Sequence, residues 1–211
     1  MRGPAEAVVL VHGLWLSGWS MALLGARLKA RGFSTFSFSY PTVSADLKEN
    51  TAALARFARN VDAPTVHFVG HSLGGVVIVG MLRERPFPLP GRVVTLGAPF
   101  GGSQAARALA KTAFGRRILG RSIAQLPAAN TRLQAPPGRE LGVICGSQRI
   151  GLGQLVTKLD APHDGIVSLS EAHLAGATAE LVLPVCHTCM LVSRRAAEQT
   201  CAFLQHGRFD R

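Results

Sequence analysis

The chain has 211 residues, of which 47% are hydrophobic and 17% are charged, a composition that excludes a disordered protein and suits one domain with a sizeable core. Lysine and arginine number 23 against 12 acidic residues, so the formal charge is +11, which favours contact with anionic surfaces. The chain has no RNA-binding signature, no finger-like Cys/His spacing and no long Lys/Arg block. Nucleic-acid binding is therefore not predicted as the main function.

Short apolar runs alternate with amphipathic stretches along the whole chain. An amphipathic stretch such as residues 46–60, with Leu47, Leu54 and Phe57 on one face, predicts a helix, as do residues 18–30 and 196–204. Strands alternating with helices indicate βαβ units, so we predict an α/β fold: one compact domain over residues 1–211, with a mainly parallel central sheet and helices on both faces. The predicted strands are residues 7–11, 33–40, 65–69, 92–96, 141–145 and 180–183.

Residues 100–138 interrupt this alternation, because they are too long for a simple connection between two strands. We predict a small cap or lid insertion at most. Its basic residues are interleaved with apolar ones, which is typical either of peripheral contact with an anionic membrane or of an ordinary surface helix with a solvated basic face. The basic residues are Arg107, Lys111, Arg116, Arg117 and Arg121.

The stretch VGHSLGG, residues 69–75, follows the predicted strand 65–69 and precedes a third predicted helix that includes residues 76–82. A lone GxSxG is a weak signal, but this strand–turn–helix context favours Ser72 as a nucleophile on a sharp turn. The glycines relieve clashes at such a turn, and the helix start directs N–H groups towards developing negative charge. The alternative is a glycine-rich turn that serves only close packing.

A second motif, Val11-His12-Gly13-Leu14-Trp15, follows the first predicted strand. Acyl transfer needs two N–H donors around the oxyanion, and Leu73, the residue after Ser72, would supply one. Leu14 is the best candidate for the second donor. We expect His12 to hold this loop, since a role as catalytic base is less suited to its place before the serine.

These motifs together resemble the serine hydrolases of the α/β-hydrolase superfamily, of the bacterial lipase and esterase type. Residues 96–103, LGAPFGGS, are similar to the LGTPHxGS segment of those lipases, with Phe100 and Gly101 where His and Arg often stand. Residues 164–167, DGIV, are similar to the run that carries their acid. The chain is smaller than most of these lipases, so a full lid is not expected.

The resemblance implies a triad in the chain order serine, acid, histidine. Asp164 follows the predicted strand 141–145 and is the expected acid, with Asp160 as the alternative. His187 lies between the last predicted strand and the last helix, which suits the base better than His173 or His206. The remaining alternative is that His187 only caps a helix or neighbours the cysteines. No metal or other cofactor is predicted.

The predicted function is cleavage of carboxylic esters, by an esterase or possibly a lipase, through an acyl-enzyme on Ser72. Apolar residues around the motifs indicate a small-molecule ester or lipid substrate, with Trp15, Phe100 and Val167 as the predicted contacts. A thioesterase or acyltransferase could use the same triad. A non-catalytic binding protein of the same fold is the further alternative. The sequence does not indicate an oligomeric state.

The four cysteines include one CxxC, Cys186-His187-Thr188-Cys189. Without a second pair or a thioredoxin-like context, we predict buried or partly buried reduced thiols here, not a zinc or redox site. The apolar runs fall short of the ~20 residues that a membrane span needs, and the first residues lack signal-peptide features. The expectation is therefore a cytoplasmic protein.

Overall fold

The computed structural model describes residues 6–126 and 133–210, and its centre is a six-stranded sheet. All neighbouring strands pair in parallel, in the order β2-β1-β3-β4-β5-β6. The predicted α/β fold is confirmed, and each predicted strand is present with its ends shifted by at most two residues. The strands are β1 (Ala7–Val11), β2 (Ser34–Phe38), β3 (Val66–His71), β4 (Val93–Leu96), β5 (Leu141–Gly146) and β6 (Ala179–Leu183).

Helices connect the strands and cover both faces of the sheet. Asp46 begins α2 with a capping box, in which its side chain accepts from the N–H of Glu49 and the Glu49 carboxylate accepts from the Asp46 N–H. Among the described residues, no helix has the length and apolar character that crossing a membrane requires. The helices are α1 (Ala22–Lys29), α2 (Leu47–Arg59), α3 (Leu73–Glu84), α4 (Gln104–Leu109), α5 (Ala113–Ala124), α6 (Gly153–Val156), α7 (Leu169–Ala172) and α8 (Arg194–His206).

The core has two layers, one on each face of the sheet. Successive strand side chains point to opposite faces, so β1 contributes Val9 and Val11 to one layer and Val8 and Leu10 to the other. The first layer packs against α2 and α3, and the second against α1 and α8. Since the central strands are buried on both faces, their sequences are almost continuously apolar.

The strand order reverses between β1 and β3, because the chain first passes outward from β1 to β2 and then returns to β3 on the other side. Connections that leave two adjacent parallel strands in opposite directions open a crevice at the strands' carboxyl ends. Residues 12–16 follow β1 at this crevice, and Ser72 follows β3. Both sequence motifs therefore meet at one place.

The described part of the predicted insertion 100–138 contains α4 and α5, while residues 127–132 lie outside the described residues. Asn50 of α2 donates to the Ser122 hydroxyl of α5 at 2.9 Å, and that hydroxyl donates to the carbonyl oxygen of Ala45 at 2.8 Å. These buried bonds fix α5 against α2. Movement of α4 and α5 as a lid stays a prediction.

Gly74 allows the first turn of α3 to pack directly on the end of β1. A Cβ atom at position 74 would lie 2.6 Å from the carbonyl oxygen of His12, closer than real Cβ contacts come. The obstacle is backbone, which cannot rotate away as a side chain can. The second motif glycine is thus required for helix–strand contact at this crevice.

We therefore expect Gly74→Ala to lower the free energy of unfolding by at least about 2 kcal/mol, because the added methyl overpacks a rigid contact. Urea titration followed by circular dichroism measures the change. Gly101→Ala is the matched control, since its Cβ would lie 3.4 Å from the Glu171 Cα, an ordinary contact. Equal stabilities of the two variants would contradict this account.

Candidate active site

Ser72 stands at the turn between β3 and α3 with φ 53° and ψ −123°. Positive φ is uncommon for a residue other than glycine and costs conformational energy, so surrounding contacts must hold it there. The N–H of Ser72 donates to the carbonyl oxygen of Leu96 on β4 at 2.8 Å. The predicted sharp strand–turn–helix geometry is therefore present at this serine.

The loop after β1 lies directly against Ser72. A Cβ atom on Gly13 would lie 3.0 Å from the Ser72 Cβ, so any side chain at position 13 would require the loop or Ser72 to shift. Trp15 also has a positive φ of 59°, and its N–H donates to the Thr42 hydroxyl at 3.2 Å. Leu14 and Leu73 line the same cavity as Ser72, and neither backbone N–H has an acceptor within the described part of the chain. The crevice thus contains two N–H groups with free hydrogen-bonding capacity.

His12 is buried and holds this loop to the strand β2 side of the crevice. Its ring stacks on Tyr40 with centroids 4.6 Å apart, and the Tyr40 hydroxyl donates to the His12 carbonyl oxygen at 2.8 Å. The His12 Nε2 accepts from the Tyr40 N–H at 3.4 Å, while Nδ1 lies 2.9 Å from the Gly13 carbonyl oxygen. Burial lowers the pKa of His12, which favours the neutral ring. These contacts agree with the expected role in holding the loop.

Asp164 and His187 form a buried hydrogen-bonded pair. The His187 Nδ1 lies 2.7 Å from the Asp164 Oδ2, and the His187 N–H donates to the Asp164 carbonyl oxygen at 2.9 Å. The other carboxylate oxygen accepts from the N–H groups of Ile166 at 3.0 Å and Val167 at 2.7 Å. Since a carboxylate only accepts, the Nδ1 atom donates in this bond, and in the neutral ring Nε2 is therefore the nitrogen without a proton.

Gly97, in the segment that resembles LGTP, makes room for this pair. Its φ is +59°, and a Cβ there would lie 3.0 Å from both the Asp164 Oδ2 and the His187 Nδ1. A side chain at this position would therefore separate the two groups or displace them. Sequence reasoning did not single out Gly97, because the close approach involves residues 67 and 90 positions away.

His71, the residue before Ser72, forms a hydrogen bond with the backbone of His187. Its Nε2 lies 3.1 Å from the His187 carbonyl oxygen, which can only accept, so Nε2 carries the proton. The Nδ1 atom is buried without a hydrogen-bond partner in the described residues. Burial, followed by the nearby His187, lowers the pKa of His71 to about 3. His71 occupies a position of the GxSxG motif where any residue is allowed, so the motif did not predict this contact.

A cavity of about 430 Å³ opens over Ser72 and is walled mainly by apolar side chains. Of the residues predicted for the site, Ser72, His187, Leu14, Leu73, Trp15 and Val167 line it. Phe100 does not: it is fully buried in the core, so its predicted substrate contact is wrong. Ser72 and His187 are not hydrogen-bonded to each other in the described structure. The helices α4, α5 and α6 and the loops beside them contribute Ala105, Ala106, Leu109, Ile118, Leu119, Ile123, Leu126, Leu152, Val156 and Ile166.

The other candidate acids and bases engage elsewhere. Asp160 is exposed and accepts from the Gln104 side chain at the start of α4. His173 pairs with Glu180 at 2.9 Å, and His206 ends α8. The structure therefore brings only Asp164, among these acids and bases, against His187.

The prediction of reduced thiols is wrong for the CxxC pair, because Cys186 and Cys189 form a disulfide. A tight turn, in which the Met190 N–H donates to the Cys186 carbonyl oxygen at 3.2 Å, brings their Cα atoms to 5.0 Å, within disulfide range. Cys145 and Cys201 are free and buried, as predicted, and burial raises the pKa of Cys145 to about 12. Among the described residues no group of three or more His, Cys, Asp or Glu side chains could hold a metal ion.

Solved structures of hydrolases share this fold at low sequence identity. Bacillus licheniformis lipase BlEst2 in mature form is 19% identical, with a TM-score of 0.77 over 99% of this chain and 95% of that one. The metagenomic carboxyl esterase MGS0156 is 18% identical, with a TM-score of 0.71 over 90% and 67% of the two chains. Carboxylesterase CesB (YbfK) from Bacillus subtilis is 15% identical, with a TM-score of 0.61 over 96% of this chain and 84% of that one.

Curated protein sequences contain no significant match to the chain. The sequence model of the alpha/beta hydrolase family, by contrast, matches residues 8–203, which is nearly the whole chain. The parallel sheet, the strained serine at the end of β3 and the loops at the strand switch agree with that match. The chain therefore belongs to the alpha/beta hydrolase family.

Proposed function

We propose that the chain is a serine hydrolase that cleaves carboxylic esters through an acyl-enzyme on Ser72. One observation carries the proposal: Ser72 and His187 line the same apolar cavity, and buried Asp164 holds the His187 ring. Membership of a hydrolase family supports the reaction class. The names of the similar structures, a lipase and two carboxylesterases, point the same way.

In the proposed first step, the His187 Nε2 takes the Ser72 hydroxyl proton as the oxygen attacks the ester carbonyl. Asp164 keeps the ring in the required tautomer and stabilises the imidazolium that forms. Ser72 and His187 are not hydrogen-bonded in the free enzyme. Hydrogen bonds between a catalytic base and its nucleophile are often long without substrate and shorten in the enzyme–substrate complex. The geometry of the substrate-free enzyme is therefore compatible with this step.

The oxyanion would bind to the N–H groups of Leu14 and Leu73. Both residues line the cavity with Ser72, and neither N–H has an acceptor within the described residues. Each such donor typically contributes ~3 kcal/mol to transition-state stabilisation. The imidazolium of His187 then protonates the leaving alcohol. A water molecule activated by the same ring releases the acid and restores Ser72.

The cavity walls favour an ester with an apolar acyl group. Leucine, isoleucine, valine and alanine side chains from α4, α5 and the loop before β6 form these walls. Burying each methylene contributes about 0.8 kcal/mol, so binding should strengthen with chain length until the cavity is filled. A thioesterase or acyltransferase remains the second candidate, because the same residues would serve either reaction.

We also propose that the cap docks on anionic lipid surfaces. Arg107 and Arg116 line a groove that shares Ala106, Leu119 and Ile123 with the walls of the main cavity. Large apolar side chains are exposed on the same region: Trp15 at 55% and Leu152 at 69% line the cavity, and Phe114 at 71% belongs to α5. Basic groups beside exposed apolar ones are typical of surfaces that bind acidic bilayers.

The esterase proposal is tested with p-nitrophenyl esters of graded chain length and a panel of acyl-CoA thioesters. We expect faster turnover of medium-chain esters than of acetate. Ser72→Ala should lower kcat at least about 10⁴-fold and Asp164→Asn about 10³- to 10⁴-fold, since the first removes the nucleophile and the second the tautomer control. Ser17→Ala, an exposed serine whose side chain makes no described hydrogen bond, is the control. Preference for acyl-CoA would favour the second candidate, and activity that survives Ser72→Ala would reject the mechanism.

Docking is tested by co-sedimentation with vesicles of phosphatidylglycerol and phosphatidylcholine. We expect binding to the anionic vesicles at low salt that added salt releases. The double variant Arg107→Gln/Arg116→Gln should bind about 30-fold more weakly, at ~1 kcal/mol for each of the two basic residues. Arg56→Gln/Arg59→Gln removes the same charge from exposed positions on α2 and should bind as wild type does. Equal weakening by both pairs would show a nonspecific charge effect and reject the cap as the docking surface.

Neutral His71 makes stability depend on pH. Its folded pKa of about 3 is below the usual 6.5, so protons favour the unfolded chain as the pH falls below about 6.5. Between pH 7 and pH 5 this group should remove about 2 kcal/mol of the free energy of unfolding. His71→Gln retains an N–H donor but does not titrate, so its loss over that range should be about 2 kcal/mol smaller. Parallel pH profiles of the two proteins in urea titrations would contradict the assignment.

A further inference from the structure

We infer that the Cys186–Cys189 disulfide is a thiol–disulfide exchange site, through which a dithiol reductant would control the position of His187. The inference rests on the proposed function, since the base of that mechanism lies inside the disulfide-closed turn. Cys186 and Cys189 are three residues apart, and His187 and Thr188 are the two residues that their bond encloses.

The backbone of this turn determines where the His187 ring lies. The His187 N–H donates to the Asp164 carbonyl oxygen at 2.9 Å, and its carbonyl oxygen accepts from His71 at 3.1 Å. The Ser193 N–H donates to the Cys189 carbonyl oxygen at 2.8 Å, where the chain continues towards α8. The disulfide adds a covalent cross-link to the backbone of residues 186–189, between the inner part of the turn, which contacts Asp164 and His71, and the outer part that leads to α8.

The two sulfur atoms have different surroundings. Cys186 is buried, whereas Cys189 is partly exposed and Thr188 beside it is exposed. Cys189 is therefore the more accessible of the two residues, and we place the attack of an incoming thiolate at its sulfur. When the bond is broken, the enclosed Cys186 cannot move inward, so separation of the sulfurs displaces Cys189 and Thr188. His187 lies between Cys186 and Thr188 in the chain, so this displacement would also move His187.

The exchange proceeds in two balanced steps. A thiolate of the dithiol attacks the Cys189 Sγ, the disulfide bond breaks, and its electron pair passes to the Cys186 Sγ, which takes up a proton. The second thiol of the reductant, as its thiolate, then attacks the mixed disulfide and releases the Cys189 thiolate, which is also protonated. In sum two electrons and two protons pass to the pair, and the reductant becomes a disulfide.

The consequence is a change in His187, because the ring must stay within reach of both Asp164 and Ser72. Small displacements of a catalytic group cost large factors in rate, so a displaced turn should lower turnover by roughly tenfold. Cys145 and Cys201 are buried in β5 and α8 and do not border this turn in sequence. The response should therefore belong to the CxxC pair alone.

The experiment measures ester turnover of the full chain in dithiothreitol buffers of defined reduced-to-oxidised ratio. Alkylation and mass spectrometry count the free thiols, and proton NMR follows the His187 Nδ1–H signal. We expect reduction to expose two thiols, shift that signal and lower turnover about tenfold, with recovery on reoxidation. Cys186→Ser/Cys189→Ser should resemble the reduced enzyme and ignore the buffer. Cys201→Ala should respond as wild type does.

The readouts separate failure of this inference from failure of the proposed function. If no ester is cleaved but the His187 signal shifts with reduction, the control of His187 stands and the esterase proposal falls. If two thiols appear while turnover and signal stay unchanged, the inference is overturned. Reduction that melts the whole chain, seen by circular dichroism, would also overturn it, since the bond would then be a structural staple. So would a folded protein whose pair resists dithiothreitol.

Discussion

The hydrogen bond between Asp164 and His187 is the interaction around which the crevice is built. A carboxylate with 1% of its surface exposed is stable only if its oxygens are satisfied, and here two backbone N–H groups and an imidazole satisfy them. Gly97 leaves the space for the pair, and His71 holds the backbone of the imidazole's residue. The result is a histidine ring whose Nδ1 is held by a carboxylate and which lines an apolar cavity beside Ser72.

The fold explains why this pair and Ser72 come together although 115 positions separate the serine from His187. All strands are parallel, so β1, β3, β4, β5 and β6 deliver their following loops to one edge of the sheet. The reversal of strand order at β1 and β3 opens the crevice at that edge. The helices α4 and α5 cover it with apolar side chains, and their exposed residues include Arg107, Arg116, Arg117 and Arg121.

Local signals predicted much of this arrangement. The alternation of strands and helices predicted the sheet, and the glycines around Ser72 predicted its strained turn, because both depend on neighbouring residues. Phe100 was predicted wrongly, since an apolar residue next to a motif can as easily point into the core. The contact of His71 with His187 joins backbone segments 116 positions apart, which residue types alone do not encode. The disulfide is local, but a single CxxC does not by itself indicate whether its two thiols pair. Strand ends differ from the predicted ones by at most two residues, because the ends of secondary-structure elements are defined only to within one or two residues.

Trp15 connects the loop after β1 to α5, two segments that are 103 positions apart in the sequence. Its indole N–H donates to the Ile118 carbonyl oxygen of α5 at 2.8 Å, while its backbone continues directly from Leu14. A tilt of α5 away from the cavity would stretch or break this hydrogen bond. It would then also pull on the loop after β1, which lies beside Ser72. Under the proposed mechanism, the position of α5 and the position of the Leu14 N–H donor would therefore be coupled through Trp15.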